Sequence, residues 1–293
     1  MEPFYLAPFY LAPSYLCPLP RILSLSFVEL PVHKVQVLFA LKTQGVEVVH
    51  CDLVNKDHVR AALTGVYAVF GVTSWEQGEE LEVIQGKNLA DAAKVAGVKH
   101  FLWSSALHID GEAPRHWESK VEVNAYLHKL GVPTTTIIAP SYYQNLWSFF
   151  ALKRQPDGPL VLDWSIPSEV RIASFSVEDL GAWIMVALKN PGVWIGKQMK
   201  ICSEVLTPRD YATKLSSGLG TKVSLKEVSI TEFENLRPYV PPNMWLSIKG
   251  LLDHSHITDE DVEQSKKLFP GLQNLEMFTK VHGDKIVAAA VSR

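Results

Sequence analysis

From Val46 to Ile138 short apolar runs alternate with stretches in which apolar residues recur every three or four positions. The runs at Val46–Val49, Val66–Val72, Val98–Trp103 and Thr135–Ile138 read as strands buried on both faces. Between them, Lys56–Leu63, Glu79–Ala96 and Arg115–Leu130 read as helices. In Glu79–Ala96, Leu81, Ile84, Leu89, Ala92, Ala93 and Ala96 gather on one side, the first turn is acidic, and Gly97 follows the last residue. Acidic starts suit the positive end of a helix dipole, and a glycine just past the end supplies a left-handed cap. Strands joined through amphipathic helices predict a parallel sheet covered on both faces, hence a doubly wound α/β domain of Rossmann-like type.

Past Pro140 the rhythm loosens. Tyr142–Lys153 is predicted helical, Val177–Leu188 a clear helix and Trp194–Ile201 a strand. Thr207 and Pro208 open a helix as cap and first residue, and Ile257–Phe269 reads as a charged surface helix. The expected organisation is an irregular segment over 1–20, the sheet core over 21–150, and a substrate-side region over 151–293 interleaved with the last strands.

The beginning breaks this pattern. FYLAP occurs at Phe4–Pro8 and Phe9–Pro13, followed by SYLCP at Ser14–Pro18, and six of the eighteen prolines lie between Pro3 and Pro31. A proline every fifth residue stops a helix, which argues against a membrane span, and no basic stretch precedes it as in a secretory signal. An extended segment outside the sheet is expected. Arg21–Phe27 is the first strand-like run.

Of the 293 residues 47% are apolar and 20% charged, with a net charge of -3, so nothing in the charge points to nucleic acid. Three scattered cysteines, Cys17, Cys51 and Cys202, fit neither a disulfide framework nor a thiolate zinc site; a reducing, cytoplasmic setting is expected. His254 and His256 lack an identifiable third ligand, so no metal is expected. Neither a G-x-S-x-G elbow nor a hydrolase triad order is present.

Open parallel sheets take ligands beyond the carboxyl ends of their strands. Asp52, Thr73–Trp75, Ser104–Ser105 and Ser141–Asn145 stand at such ends. His116 and Lys120, four apart, share one helix face. Lysine there suits a ribose, histidine suits proton transfer near neutral pH, and Ser105 suits orienting a carbonyl. Asn124 and His128 continue the same row, as a plain solvated face also would. Against a cofactor stands the glycine content: none precedes Gly45, so no G-x-G-x-x-G turn brings backbone donors to a pyrophosphate.

The runs QGVEVVHCDL, LTGVYAVFGVTSW, EVIQGKNLADAAKVAGVKHFLWSS, HWESKVEV and GVPTTTIIAPSYYQN, with looser matches at Phe175–Gly181 and Leu268–Gly271, resemble the NmrA-like family of atypical short-chain dehydrogenase/reductases. The resemblance implies a dinucleotide-binding fold that prefers NADP. It implies an oxidoreductase acting on a small organic substrate, some fungal members serving secondary metabolism, or a regulator that senses nicotinamide nucleotides through a protein partner; an inactive, truncated family member is the third alternative. By resemblance Asp52 is the adenine-side aspartate, and Thr73 belongs to the cofactor-facing loop. Lys120 is the family lysine, Ser105 approximates the active serine, and Tyr142 and Asn145 lie on the cofactor or substrate rim. His116 stands where active short-chain reductases carry a tyrosine acid. The family's glycine-rich first loop is replaced here by the proline repeat. Arg21–Phe27 is therefore expected in the sheet, as its own family-equivalent strand or in place of the missing central one.

Overall fold

A computed structural model describes the backbone at 22–26, residues 43, 47 and 49–155, then 158–253 and 257–292. The proline repeat, His254, His256 and, apart from Thr43, the run His33–Thr43, which the sequence suggests as a helix closing at Gly45, lie outside these residues. In chain order the elements begin with β1 (Ile22–Ser26), α1 (Lys56–Leu63), β2 (Ala68–Val72), α2 (Glu79–Ala96), β3 (His100–Ser105), α3 (Arg115–Lys129) and β4 (Thr134–Ile138). There follow β5 (Ser141–Tyr142), β6 (Lys153–Arg154), β7 (Leu160–Leu162), β8 (Ile172–Phe175), α4 (Leu180–Lys189), β9 (Gln198–Lys200) and β10 (Glu204–Leu206). The last are α5 (Pro208–Leu219), β11 (Val223–Leu225), α6 (Pro242–Asp253), α7 (Asp259–Leu268), α8 (Leu275–Ala288) and β12 (Val291–Ser292).

The chain divides into two compact units and crosses between them more than once. The first holds the described residues up to His108, then Arg115–Ile138 and Gly181–Met199; the second holds Ile109–Pro114, Ala139–Leu180 and the chain from Lys200.

The first unit is built on a five-stranded sheet in the order β1-β2-β3-β4-β9. β1 pairs parallel with β2 (Ile22 opposite Ala68), β2 with β3 (Ala68 opposite His100) and β3 with β4 (Phe101 opposite Thr134). Every residue of β2, β3 and β4 is buried, as their near-continuous apolar runs require of a sheet covered on both faces. Val69, Phe101 and Trp103 from the strands pack with Leu89, Ala93, Val123 and Leu127 from α2 and α3. The fold is thus the expected Rossmann-like α/β class. Ile22–Ser26 joins the sheet as a parallel neighbour of Ala68–Val72, as expected of a substitute for the central strand. The expected strand at Val46–Val49 differs: Glu47 and Val49 are exposed and outside any strand, while Val46 and Val48 lie outside the described residues. Among the described residues β1 pairs with β2 alone, and neither Glu47 nor Val49 joins a ladder.

The second unit carries a three-stranded sheet, β10-β8-β5, and a four-stranded one, β11-β7-β6-β12. Its core gathers Tyr143, Leu162, Trp164, Tyr211, Phe233 and Phe278. The Thr207–Pro208 opening of α5 is present as a full capping box with Asp210. Two predicted elements are corrected. Tyr142–Lys153 is not a long helix but a strand end and a 3₁₀ turn, Tyr143–Trp147, because the Asn145 carbonyl takes the amides of both Ser148 and Phe150 and closes the turn. Trp194–Ile201 is only in part a strand: Pro191–Trp194 is one helical turn, Gly196 at φ +81° breaks it, and pairing starts at Gln198.

Candidate functional site

In the first unit β2 and β3 deliver Thr73 and Ser105 at their carboxyl ends, while α2 and α3 begin nearby in sequence. The side chains these elements bring together are Thr73, Glu82, Ser119 and Lys120. Glu82, in the first turns of α2, is fully buried. Its Oε1 accepts from Thr73 Oγ1 at 3.0 Å and from Lys120 Nζ, and its Oε2 accepts from Ser119 Oγ. Lys120 Nζ also donates to the Thr73 carbonyl at 2.7 Å. A carboxylate out of water persists only when it is paired and hydrogen-bonded, and here the bonds tie α2 to the end of β2 through Thr73 and to α3 through Ser119 and Lys120. On α3 the Lys120 carbonyl takes a bond from the buried Trp103 indole at 2.9 Å, which fixes the helix against β3.

One turn before Lys120, His116 packs its ring on Trp75, with centroids 5.1 Å apart, and edge-on to Trp117 at 6.2 Å. Burial lowers its pKa, and the Lys120 charge adds to this against the opposing pull of Glu79 and Glu82. The imidazole is accordingly neutral around pH 7.

The other residues singled out from the sequence have local partners. Asp52 is exposed; its Oδ1 accepts from the Val54 amide at 2.9 Å and its carbonyl from the Asn55 amide at 3.1 Å. That turn positions Asn55, whose side chain caps α1. Ser105 is buried and donates to the Ala106 carbonyl at 3.4 Å. Tyr142 and Asn145 belong to the second unit: Tyr142 stands edge-on to Phe175 at 5.4 Å, and Asn145 Nδ2 donates to Ser141 Oγ at 3.3 Å. Sequence reasoning missed Glu82 and Ser119. A signal for Glu82 was available: it shares the spacing of Gly86, Leu89 and Ala93, which marks an acid on the buried face of its helix.

Whether these residues fit a nicotinamide dinucleotide divides by function. Asp52 retains an exposed carboxylate oxygen, and Lys120, with three ammonium donors and two described acceptors, retains one for a ligand. Both suit ribose hydroxyls. Thr73 Oγ1, by contrast, already donates to Glu82, and His116 is packed against Trp75 with its pKa lowered by burial. Among the described residues no group of three or more metal-type side chains occurs, and no helix is long and apolar enough to cross a membrane.

A parallel sheet of this order with polar groups at its strand ends defines a Rossmann-like α/β protein. The family model of the NmrA-like family matches residues 31–279, and the chain belongs to that family. It is similar to the nitrogen metabolite repression protein nmrA of Emericella nidulans, 28% identical over 224 residues that make up 71% of this chain and 62% of that one. Among solved structures it is similar to Nmra, a negative transcriptional regulator, in complex with NADP, at a TM-score of 0.70 and 22% identity, covering 83% of each chain. It is also similar to the NADPH-dependent quinone oxidoreductase QOR2 of Escherichia coli complexed with NADPH, at a TM-score of 0.66 and 22% identity, covering 85% of this chain and 87% of that one.

Proposed function

We propose that this protein binds a nicotinamide dinucleotide, NADP(H) foremost, as a regulatory ligand read by a protein partner, and that it does not turn the cofactor over. The observation that carries this reading is His116. It stands where an active short-chain reductase would place its tyrosine acid, it is packed against Trp75, and burial keeps it neutral. General acid catalysis asks for a donor whose pKa lies near the working pH, and burial moves the His116 imidazolium below its ordinary value, away from neutrality. Lys120, bound to Glu82 and Thr73, is held as a hydrogen-bond donor and not as a mobile acid. A relative named for nitrogen metabolite repression, and a solved neighbour described as a negative transcriptional regulator holding NADP, support the same reading.

A second reading, an NADPH-linked reductase of a small organic carbonyl or quinone, is favoured by Lys120 at the family lysine position and by the likeness to the quinone oxidoreductase. Titrating the full chain with NADPH and following nucleotide fluorescence, then adding a quinone, separates the two. The regulatory reading expects saturable binding and no faster loss of NADPH than in buffer. Quinone-dependent oxidation that scales with protein concentration favours the reductase.

A further inference from the structure

Glu82 is fully buried, yet both carboxylate oxygens are occupied: Oε1 by Thr73 Oγ1 at 3.0 Å and by Lys120, Oε2 by Ser119 Oγ. One of these partners is a cation, so the cluster as a whole carries no net charge. Thr73, just past β2, and Ser119, on α3, hold the carboxylate from separate parts of the fold and so fix its orientation. The Lys120 side chain is 16% exposed, and its Nζ spends a second donor on the Thr73 carbonyl at 2.7 Å. An ammonium has three donors, which leaves one for a ligand among the described residues.

We propose that Glu82 is a positioning residue that neutralises Lys120 and makes it select a neutral oxygen, a ribose hydroxyl or a carbonyl, over a phosphate or carboxylate. A bare ammonium attracts anions across several ångströms. With a carboxylate in contact its field shrinks to that of a dipole, while the remaining N–H keeps its directional hydrogen bond. The inference rests on the proposed function only in placing a ligand beside Lys120.

The charge at Lys120 can be read without any nucleotide. The full chain is acetylated with two N-hydroxysuccinimide esters, one neutral and one sulfonated, and modification at Lys120 is followed by peptide mass spectrometry. The ester acylates the free amine, so the ratio of the sulfonated to the neutral rate reports the field that Glu82 sets at Lys120 Nζ and cancels accessibility. In the wild type that ratio is expected no higher than at the exposed Lys222. Glu82→Gln is expected to raise it about fivefold, the effect of one unit charge at about 4 Å in a watery setting. Glu82→Asp, which retains the charge, keeps the ratio near wild type. A purely structural loosening raises both rates and leaves the ratio unchanged. An unchanged ratio in folded Glu82→Gln, a raised one in Glu82→Asp, or a wild-type ratio above that of Lys222 overturns the proposal. If Glu82→Gln does not fold, the wild-type comparison decides. Because no dinucleotide is present, failure here is distinct from failure to bind NADPH.

Discussion

Two histidines of the first unit lose their proton to burial, with different consequences. His100, the first residue of β3, is 1% exposed and its Nε2 lies 2.7 Å from Thr135 Oγ1; burial lowers its pKa to about 4. In the unfolded chain an ordinary histidine takes its proton near 6.5, so below that pH the unfolded state binds the extra proton. The stability contributed by neutral His100 is therefore complete above pH 6.5 and is lost as pH falls toward 4. Urea denaturation between these limits is expected to show a slope that His100→Gln reduces; an unaltered slope would refute the assignment. Lys120 and Glu82 behave as a unit. Lys120→Met leaves a buried carboxylate without its cation and is expected to cost about 3–5 kcal/mol, whereas the double variant Glu82→Gln/Lys120→Met recovers most of that loss. Additive losses in a double-mutant cycle would contradict the pairing. This scale also marks the limit of the sequence. His116 and Lys120 were legible as an i, i+4 pair, but Glu82 read as one of several acids at a helix start. Its spacing with Gly86, Leu89 and Ala93 puts it on the buried face, but its partners Ser119 and Lys120 come from α3, a contact no local pattern states.

At the scale of elements, α2 and α3 approach closely enough to constrain composition. A Cβ on Gly86 would meet Val123 Cγ2 at 2.5 Å. Alanine gains about 1 kcal/mol of helix propensity over glycine, but overpacking a tight contact costs about 1–3 kcal/mol. Gly86→Ala is expected to lower stability, and Val123→Ala in the same chain to relieve part of the loss, as thermal melts would show. The capping box of α5 offers a cleaner case: Thr207 Oγ1 accepts from the Asp210 amide at 3.2 Å, and Thr207→Ala is expected to cost about 1 kcal/mol. The helices with strong boundary signals were read correctly, Glu79–Ala96 to the residue, because glycine and acidic-turn chemistry act locally. The aromatic run from Tyr142 was misread because the same residues that would line a helix instead fill the second unit's core, and the Asn145 turn closes early. The small sheets of the second unit, with strands of two to four residues, leave no periodicity to find.

For the molecule as a whole, the alternation of strands and helices identified the α/β class because parallel pairing and two-sided cover impose it on any chain. What it did not yield was the route. The chain leaves the first unit at His108 for six residues, returns at Arg115, leaves again after Ile138 and comes back for Gly181–Met199. Such crossings depend on which unit a helix buries its face against, a non-local choice. The recruitment of Ile22–Ser26 beside Ala68–Val72 was legible for a physical reason: a buried strand without a neighbour leaves its ladder groups unpaired, at about 1–3 kcal/mol each. The central claim, a dinucleotide bound but not consumed, belongs to this scale. Isothermal calorimetry of the full chain with NADPH in the presence of a quinone reads binding and turnover together. The account predicts a saturable heat of binding after which the signal returns to baseline. A sustained heat flow that ends only when NADPH is exhausted, or no binding heat at millimolar nucleotide, would contradict it.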